Sequence, residues 1–450
     1  MVNIYNSSKN AIQSLIKENK TNTSFIPTIL LLVTIPLSYA INNIALGLFV
    51  LFAILGVKKT NIKVRFPILL PILLYVLMAV SYFWSIDQPA TLSALSKEVS
   101  LLLIPLAFIV FKDFTPVQKQ KIIQYYSYAM VCFAIYFLVR AVIRYFISGD
   151  SRVFFYHGED YIDFGLVPKL LNAIHVSVFT GVAFFYFLTK SVKTKIDVFL
   201  SLLLFGFMVL LSSKNILLSV VFLILIYVIF FTKTSYKMRL RNLLIMITLV
   251  GVVFSFGKIK NRLQHEFQTN SDKSISANVL EGVPAGVHYV SIAEAWSNPK
   301  FTPNDYFTGT AFRVYQFRVF CELVNEEEVF WNGFGLNASY PKIEEKAKFY
   351  NLFLGSNENE GYQNKNFHNQ YVQNFAELGV FGFLLLLLLL VGNVKSALQS
   401  KDFVHFAFSF LMISLFLTES FLWRQRGVVF FTLLYCLFNS GTLTKGSQPD

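Results

Sequence analysis

The chain has 450 residues, of which 55% are hydrophobic, 17% aromatic and 14% charged, and its formal net charge is +13. Soluble domains carry roughly 25% charged residues, and one globular core of this size has no room for 49 phenylalanines. These numbers exclude a soluble enzyme, a disordered protein and a small disulfide scaffold. They predict an all-α polytopic membrane protein.

Apolar runs along the chain predict about twelve transmembrane helices, since a helix of roughly 20 apolar residues crosses the hydrocarbon core. The runs cover residues 25–40, 42–57, 66–84, 98–111, 122–147, 172–189, 196–212, 215–232, 243–257, 371–392, 402–420 and 427–440. The predicted units are transmembrane helices 1–9 (residues 1–257), a polar domain (258–369), helices 10–12 (370–440) and a tail (441–450).

The polar segment 258–369 is rich in Asn, Glu, Tyr and Gly and contains no further apolar run long enough for a span. Residues 313–330 have the spacing of an amphipathic helix, and residues 332–337 form a glycine-containing loop. We therefore expect a small domain of helices and loops on one side of the membrane.

Basic residues concentrate in alternate loops, including residues 58–65, 112–121, 190–195 and 233–241. The positive-inside rule assigns these loops to the cytoplasm. With twelve spans both termini are then cytoplasmic, and segment 258–369 is external. The basic loops lack aromatic interleaving and any nucleic-acid motif, so most of the net charge is a topology signal and we expect no nucleic-acid partner.

The most informative polar residues lie where the external segment meets the tenth predicted span. His368 and Asn369 precede the apolar run, and Glu377 follows on the same helix. A histidine at this boundary can accept a proton from a hydroxyl at neutral pH, and a carboxylate inside a span usually has a partner or a function. The alternative is that His368 caps the helix, Asn369 aids the turn and Glu377 pairs with a nearby Lys or Arg.

Cations on the external side predict an anion site, because the positive-inside rule disfavours them there. Arginine has a planar fork that suits phosphate oxygens. The alternatives are salt bridges, such as Arg313 with Glu322 or Glu326–Glu328, and snorkelling to lipid headgroups. His175, at the external start of the sixth span, could be a simple polar helix terminus. The external cations are Arg140, Arg144, Arg152, Lys214, Arg313, Arg318, Arg424 and Arg426.

Metal chemistry is not expected from the histidine pattern. His157, His265 and His288 have no metal-like spacing with Cys, Asp or Glu. The sequence therefore predicts no metal site and no cofactor.

These motifs resemble the O-antigen ligase and polymerase superfamily of bacterial envelope proteins. The start of the tenth span, His368-Asn369-Gln370-Tyr371 followed by residues 377–382, resembles the family's signature. Arg313, Phe317 and the Gly-Phe-Gly of residues 333–335 resemble the segment before it. The turn at residues 211–215 has Ser-Lys where the family usually has Ser-Arg.

The resemblance implies a glycosyltransferase-C-like fold and metal-independent glycan transfer at the periplasmic face of the bacterial inner membrane. The donor would be a glycan on undecaprenyl pyrophosphate, and the acceptor of a ligase would be the lipid A-core sugar. His368 would be the base, and Arg313 and Lys214 would hold the pyrophosphate, although lysine lacks the bidentate fork. The further expected donor-binding residues are Arg152 and Arg318, and the supporting residues are Asn369, Glu377 and His175.

Three other functions stay open from the sequence. Within the same superfamily, the protein could polymerise O-antigen repeat units or transfer an oligosaccharide to protein side chains. From a different class, a transporter or flippase predicts a central cavity lined by residues such as Glu377. The absence of an internal repeat in the sequence counts against this last function.

Overall fold

The structure is a computed structural model, and it describes residues 13–155, 165–232, 288–355, 361–363 and 365–441. The predicted span 243–257, the loop 233–241, His157, His265 and most of the tail lie outside these residues. The helices before the polar segment include α1 Phe25–Val33, α2 Tyr39–Leu55, α3 Phe66–Val80, α4 Gln88–Glu98, α5 Ser100–Val110, α6 Pro116–Ser148, α7 Ala173–Thr189, α8 Lys195–Leu211 and α9 Lys214–Ile226.

The described part of the polar segment and the chain after it contain the remaining elements. These are β1 His288–Val290, α10 Ile292–Ser297, β2 Asp305–Phe307, α11 Gly309–Glu326, α12 Tyr340–Phe349, α13 Gln370–Ser400, α14 Phe403–Phe416 and α15 Gln425–Asn439. The predicted all-α class is confirmed in its main feature, because the molecule is mostly helical.

Five helical stretches are long and apolar enough to cross a membrane within the described residues. They are Phe66–Phe83, Gln88–Val110, Pro116–Ser148, Lys214–Phe231 and Gln370–Ser400, and shorter apolar helices occupy Tyr39–Leu55, Ala173–Thr189 and Phe403–Phe416. These helices are therefore consistent with an all-α membrane protein. The number of twelve spans stays a prediction.

Several predicted spans have different bounds in the structure. The helix in the run 25–40 ends at Val33, and the helix that contains the run 371–392 continues to Ser400. The span predicted at 98–111 begins at Gln88, where the Asp87 side chain accepts a hydrogen bond from the Ala90 backbone N–H. The first half of this stretch contains polar residues, so a hydropathy pattern does not reveal it. Thr91, Ala94 and Glu98 nevertheless repeat at helical spacing and are buried. The span predicted at 402–420 ends as a helix at Phe416.

Two helices lie at the centre of the membrane part. Every residue is buried from His175 to Phe187 in α7 and from Arg426 to Leu437 in α15. Helix α7 packs against α6, α8, α9 and α14, and α15 packs against α3, α4, α5 and α13. Helices that are covered on all sides form the interior of a bundle, so the polar residues at their N-terminal ends lie within protein.

The polar segment has a second hydrophobic core of its own. Phe301, Phe307, Phe312 and Tyr315 pack there, and Val372 and Ala376 of α13 belong to the same core. This shared core seats the domain on the N-terminal end of α13. We call the end of the helices that carries this domain the outer end.

The outer domain also contains a short sheet, which departs from the prediction of helices and loops. Strands β1 and β2 are parallel, with His288 opposite Asp305 and Val290 opposite Phe307. Strands of three residues leave no detectable period-two pattern in a sequence. The helix predicted over 313–330 is α11, which begins at Gly309 after the Thr308 cap and ends at Glu326.

Helix α13 is interrupted at Gly379, whose φ is 66° and ψ is −165°. The Val380 N–H donates to the Phe330 carbonyl at 2.9 Å, and the Gly335 N–H donates to the Glu377 carbonyl at 2.9 Å. A Cβ on Gly379 would lie 2.0 Å from the Trp331 carbonyl oxygen. The glycine-containing loop therefore packs its backbone against the interruption in α13, which fixes the outer domain relative to this helix.

Candidate functional site

Three separate parts of the chain donate hydrogen bonds to the turn Leu417–Ser420, which follows α14. We call this segment the 417–420 turn. The contacts are Asn369 Nδ2 to the Leu417 carbonyl at 3.2 Å, Arg313 Nε to the Thr418 carbonyl at 3.0 Å, and Asn215 Nδ2 to the Thr418 hydroxyl at 2.8 Å. The structure thus brings together at one turn the three sequence motifs on which the family resemblance rests.

His368 immediately precedes the cap of α13. Its φ is +46°, in the left-handed region, where a non-glycine residue costs about 1–2 kcal/mol. Its backbone N–H donates to Asn366 Oδ1 at 3.0 Å. The next residue, Asn369, caps the helix by accepting from the N–H groups of Tyr371 and Val372. The alternative that His368 caps the helix is therefore wrong, because Asn369 is the cap, and the His368 side chain faces the 417–420 turn.

The imidazole of His368 faces a buried carboxylate. Its Nδ1 lies 3.6 Å from Oε2 of Glu419, whose side chain is 5% exposed, whereas the His368 side chain is 29% exposed. Because Nδ1 itself is buried, the accessible edge of the ring is the one with Nε2. Burial raises the pKa of the Glu419 carboxyl, but the contact with His368 and the charge of Arg313 lower it to about 2. Glu419 is therefore ionised at neutral pH.

Glu419 is the functional candidate that the sequence analysis missed. Glu419 lies at the end of the apolar run 402–420, so it was assigned to a span and not to the polar loop that follows. The available signal was a lone carboxylate at the edge of a span, where a charge usually has a task. Only the packing of α13 against α14 shows that His368 is its neighbour.

Arg313 connects the outer domain to the same turn. Besides the contact of Nε with Thr418, one terminal nitrogen donates to the Gly309 carbonyl at 2.8 Å. Its charge acts on Glu419. The interpretation that Arg313 pairs with Glu322 is not what the structure shows, because Glu322 contacts Arg318, Lys346 and Tyr350 instead.

Arg318 contacts the interior of the outer domain. Its guanidinium donates to Glu322 at 2.9 Å, to the Asn298 carbonyl at 2.8 Å and to the Tyr350 hydroxyl at 2.8 Å. Five residues of an α-helix turn a side chain by about 140°, so Arg313 and Arg318 face different ways from α11. Burial raises the pKa of the Glu322 carboxyl, but its bonds with Tyr350, Lys346 and Arg318 lower it overall. This arrangement favours a bracing role for Arg318 over the expected donor-binding role.

Lys214 is the first residue of α9, beside the residue that anchors this helix to the turn. Asn215 Nδ2 also donates to the Ser414 carbonyl at 2.7 Å, and its Oδ1 accepts from the Ser414 hydroxyl at 2.7 Å. These contacts place the Ser213-Lys214 turn next to Thr418. Arg152 lies in the 3₁₀ segment after α6, where its Nε donates to Asp150 at 2.7 Å and its side chain is 62% exposed.

Two of the three expected supporting residues are buried. His175 at the start of α7 packs on Phe421, with ring centroids 4.4 Å apart. Glu377 is 3% exposed and accepts a hydrogen bond from Gln373 Nε2. The interpretation that Glu377 pairs with a Lys or Arg is thus replaced by a contact with an uncharged donor.

The Arg426 side chain does not extend to lipid headgroups, which was one alternative for the external cations. This side chain is 5% exposed and donates to the carbonyls of Leu170 at 2.6 Å and Leu37 at 2.9 Å. Its guanidinium also lies 4.0 Å above the Tyr39 ring. Arg426 therefore joins the outer ends of several helices.

An apolar cavity of about 600 Å³ opens beside the 417–420 turn. Its lining includes Asn369 and Leu417, which are bonded to each other at the turn, and Phe320 and Phe375. A second apolar cavity of about 680 Å³ extends along α13 as far as Gln399. Tyr371 lines both cavities, so they lie next to each other along α13, and we call the two together the apolar track.

Comparison with known proteins identifies the family. Residues 199–387 match the family model described as O-antigen ligase, and no curated protein matches the chain. The matched residues include Lys214, Arg313 and His368 and end before Glu419. The predicted resemblance is confirmed over residues 199–387, where the chain is similar to the O-antigen ligase family.

Proposed function

We propose that this protein transfers a glycan from undecaprenyl pyrophosphate to the lipid A-core, at the periplasmic face of the bacterial inner membrane, without a metal. The observation that carries this proposal is the His368–Glu419 pair, beside Arg313 and next to Asn369, which lines the first cavity of the apolar track. The family supports a glycan-transferring enzyme of the O-antigen ligase or polymerase kind.

The pair suits proton abstraction from an acceptor hydroxyl. The Glu419 carboxylate favours the tautomer with the proton on Nδ1, which leaves the Nε2 lone pair available at the accessible edge. Nε2 takes the hydroxyl proton while the acceptor oxygen bonds to the anomeric carbon of the donor. The bond between that carbon and the pyrophosphate oxygen breaks, and the carrier pyrophosphate leaves. Glu419 stabilises the imidazolium that forms.

Cations beside the pair would balance the charge of the leaving pyrophosphate. Arg313 is held by Thr418 and Gly309, and Lys214 precedes the anchor Asn215. Positive groups that are already in place stabilise developing negative charge without a cost for reorganisation. The leaving group is stable as an anion, so a positioned base and these cations supply the required chemistry.

The apolar track supports a lipid-linked donor. It starts at Asn369 and Leu417 and continues along a helix that is long and apolar enough to cross the membrane. A polyprenyl chain in this track would bury its methylenes, at about 0.8 kcal/mol each, while its pyrophosphate reached the 417–420 turn. A soluble sugar nucleotide would have no use for such a track. The transporter alternative has less support, because Glu377 is buried by protein contacts instead of lining a central cavity.

The central test is His368→Ala in a reconstituted transfer assay with purified lipid-linked donor and lipid A-core acceptor. The variant should insert and bind donor as the wild type does, and transfer at least about 100-fold more slowly, as expected for loss of a general base. Wild-type transfer by properly inserted variant would refute the proposal. Deletion of the gene distinguishes a ligase from a polymerase. Loss of a ligase leaves long chains on the lipid carrier, whereas loss of a polymerase leaves at most one repeat on the lipid A-core.

A further inference from the structure

We infer that Gln373 and Glu377 form a positioning pair, which holds His368 and Glu419 in the geometry that proton transfer requires. This inference rests on the proposed function. Both residues lie on the first turns of α13, Gln373 is 1% exposed and Glu377 is 3% exposed. Neither faces the acceptor, so their effect is on the orientation of the two reacting segments.

The side-chain oxygen of Gln373 connects the segments that carry His368 and Glu419. Its Oε1 accepts from the backbone N–H of Phe367 at 3.2 Å and from the Ser420 hydroxyl at 3.4 Å. Phe367 is the residue before His368, and Ser420 is the residue after Glu419. One amide oxygen therefore ties together the two backbone positions that set the 3.6 Å contact of the pair.

Glu377 determines which way the Gln373 amide points. The Nε2 group of Gln373 donates to Glu377 Oε1, one turn further along α13. A primary amide has nearly the same shape in both orientations. In the opposite orientation its NH2 group would face two donors and its oxygen would face a carboxylate. The loop that packs against the α13 interruption holds the same turn of the helix, because the Gly335 N–H donates to the Glu377 carbonyl at 2.9 Å.

His368 needs such support because of its backbone. It lies in the left-handed region and precedes the first helical residue of α13, so the helix ladder does not hold it. A misplacement of about 1 Å in an active site can lower a rate about 100-fold. Buried polar side chains near the outer end of an apolar helix are costly, and positioning of the reacting pair accounts for their presence at this place.

The test compares Gln373→Met, Glu377→Met and Glu377→Gln in the reconstituted transfer assay. The two methionine variants should lower kcat by about 10–100-fold while the KM for donor stays near the wild-type value. Glu377→Gln should keep most of kcat, because its carbonyl oxygen can still accept from Gln373 Nε2. Rescue by this conservative variant distinguishes orientation of the amide from general loss of packing.

Asn393→Leu is the matched control on the same helix. Asn393 is 0% exposed and binds Ser409, His405 and Asn439 at the opposite end of α13. We expect a lower Tm and an unchanged kcat. If Gln373→Met and Glu377→Met keep wild-type kcat while His368→Ala is inactive, the positioning role is wrong and the proposed function stands. The positioning role would also be wrong if Asn393→Leu lost as much kcat as the two methionine variants. An active His368→Ala would refute the proposed function itself.

Discussion

Nδ1 of His368 lies 3.6 Å from Oε2 of Glu419, although the helices α13 and α14 separate the two residues along the chain. The two helices pack against each other as a hairpin, so the start of the first meets the end of the second. His368 is partly accessible and Glu419 is buried. Nδ1 therefore lies on the buried side of the imidazole, towards the carboxylate.

Glu419→Gln should retain the fold and lose most of the transfer activity. The neutral amide no longer selects the Nδ1–H tautomer or stabilises the imidazolium, and the loss of an orienting carboxylate in a comparable pair costs about 10⁴-fold in kcat. Transfer kinetics at saturating donor measure the effect. Glu344→Gln is the control, because Glu344 is an outer-domain carboxylate that is 39% exposed and pairs with Lys348. Equal activity of Glu419→Gln and wild type would contradict the assigned role.

The stability of the protein should depend on Glu419 in acid. Its pKa is lowered from the ordinary 4.5 to about 2 in the folded protein. The folded state therefore gains stability above pH 4.5, up to about 3 kcal/mol, and loses it as the pH falls from 4.5 to 2. Thermal unfolding in detergent between pH 2 and 6 should show a steeper loss for wild type than for Glu419→Gln. Parallel curves would show that this carboxyl has no shifted pKa.

Arg313→Ala should weaken donor binding, since it removes a cation held beside the reacting pair. We expect the dissociation constant for the lipid-linked donor to rise about 10-fold or more, which corresponds to about 1.4 kcal/mol. Arg318→Ala on the same helix is the comparison. It removes bonds to Glu322, Asn298 and Tyr350 and should lower Tm without changing donor affinity. If Arg318→Ala weakened donor binding and Arg313→Ala only lowered Tm, the roles assigned to the two arginines would be wrong.

Gly379→Ala should destabilise the protein by about 2 kcal/mol or more, because a Cβ at a left-handed φ would meet the Trp331 carbonyl at 2.0 Å. Gly392→Ala is a close control in α13, where a Cβ would meet nothing within 4 Å. It should be neutral or stabilising by up to about 1 kcal/mol. Unfolding in detergent, followed by circular dichroism, compares the two. A Gly379→Ala protein as stable as wild type would show that the loop tolerates a side chain there.

Much of the fold follows from patterns within single segments. The apolar runs predicted the main helices because burial of an apolar segment in lipid favours a helix irrespective of its neighbours. The prediction was wrong about the start of the Gln88–Val110 stretch and the end of α14, where polar residues are buried by tertiary contacts. It also missed the β1–β2 sheet, whose strands are too short to show a pattern.

The sequence by itself indicated the family resemblance and the segment that begins with His368 and Asn369, because each motif consists of residues that are near one another in the chain. Only the tertiary structure decided that Glu419 faces His368, that Gln373 joins their segments, and that Arg318 braces the outer domain. Those contacts depend on how α13 packs against α14 and how the outer domain sits on α13. Such packing is the sum of many weak contacts between distant residues, and no local pattern encodes it.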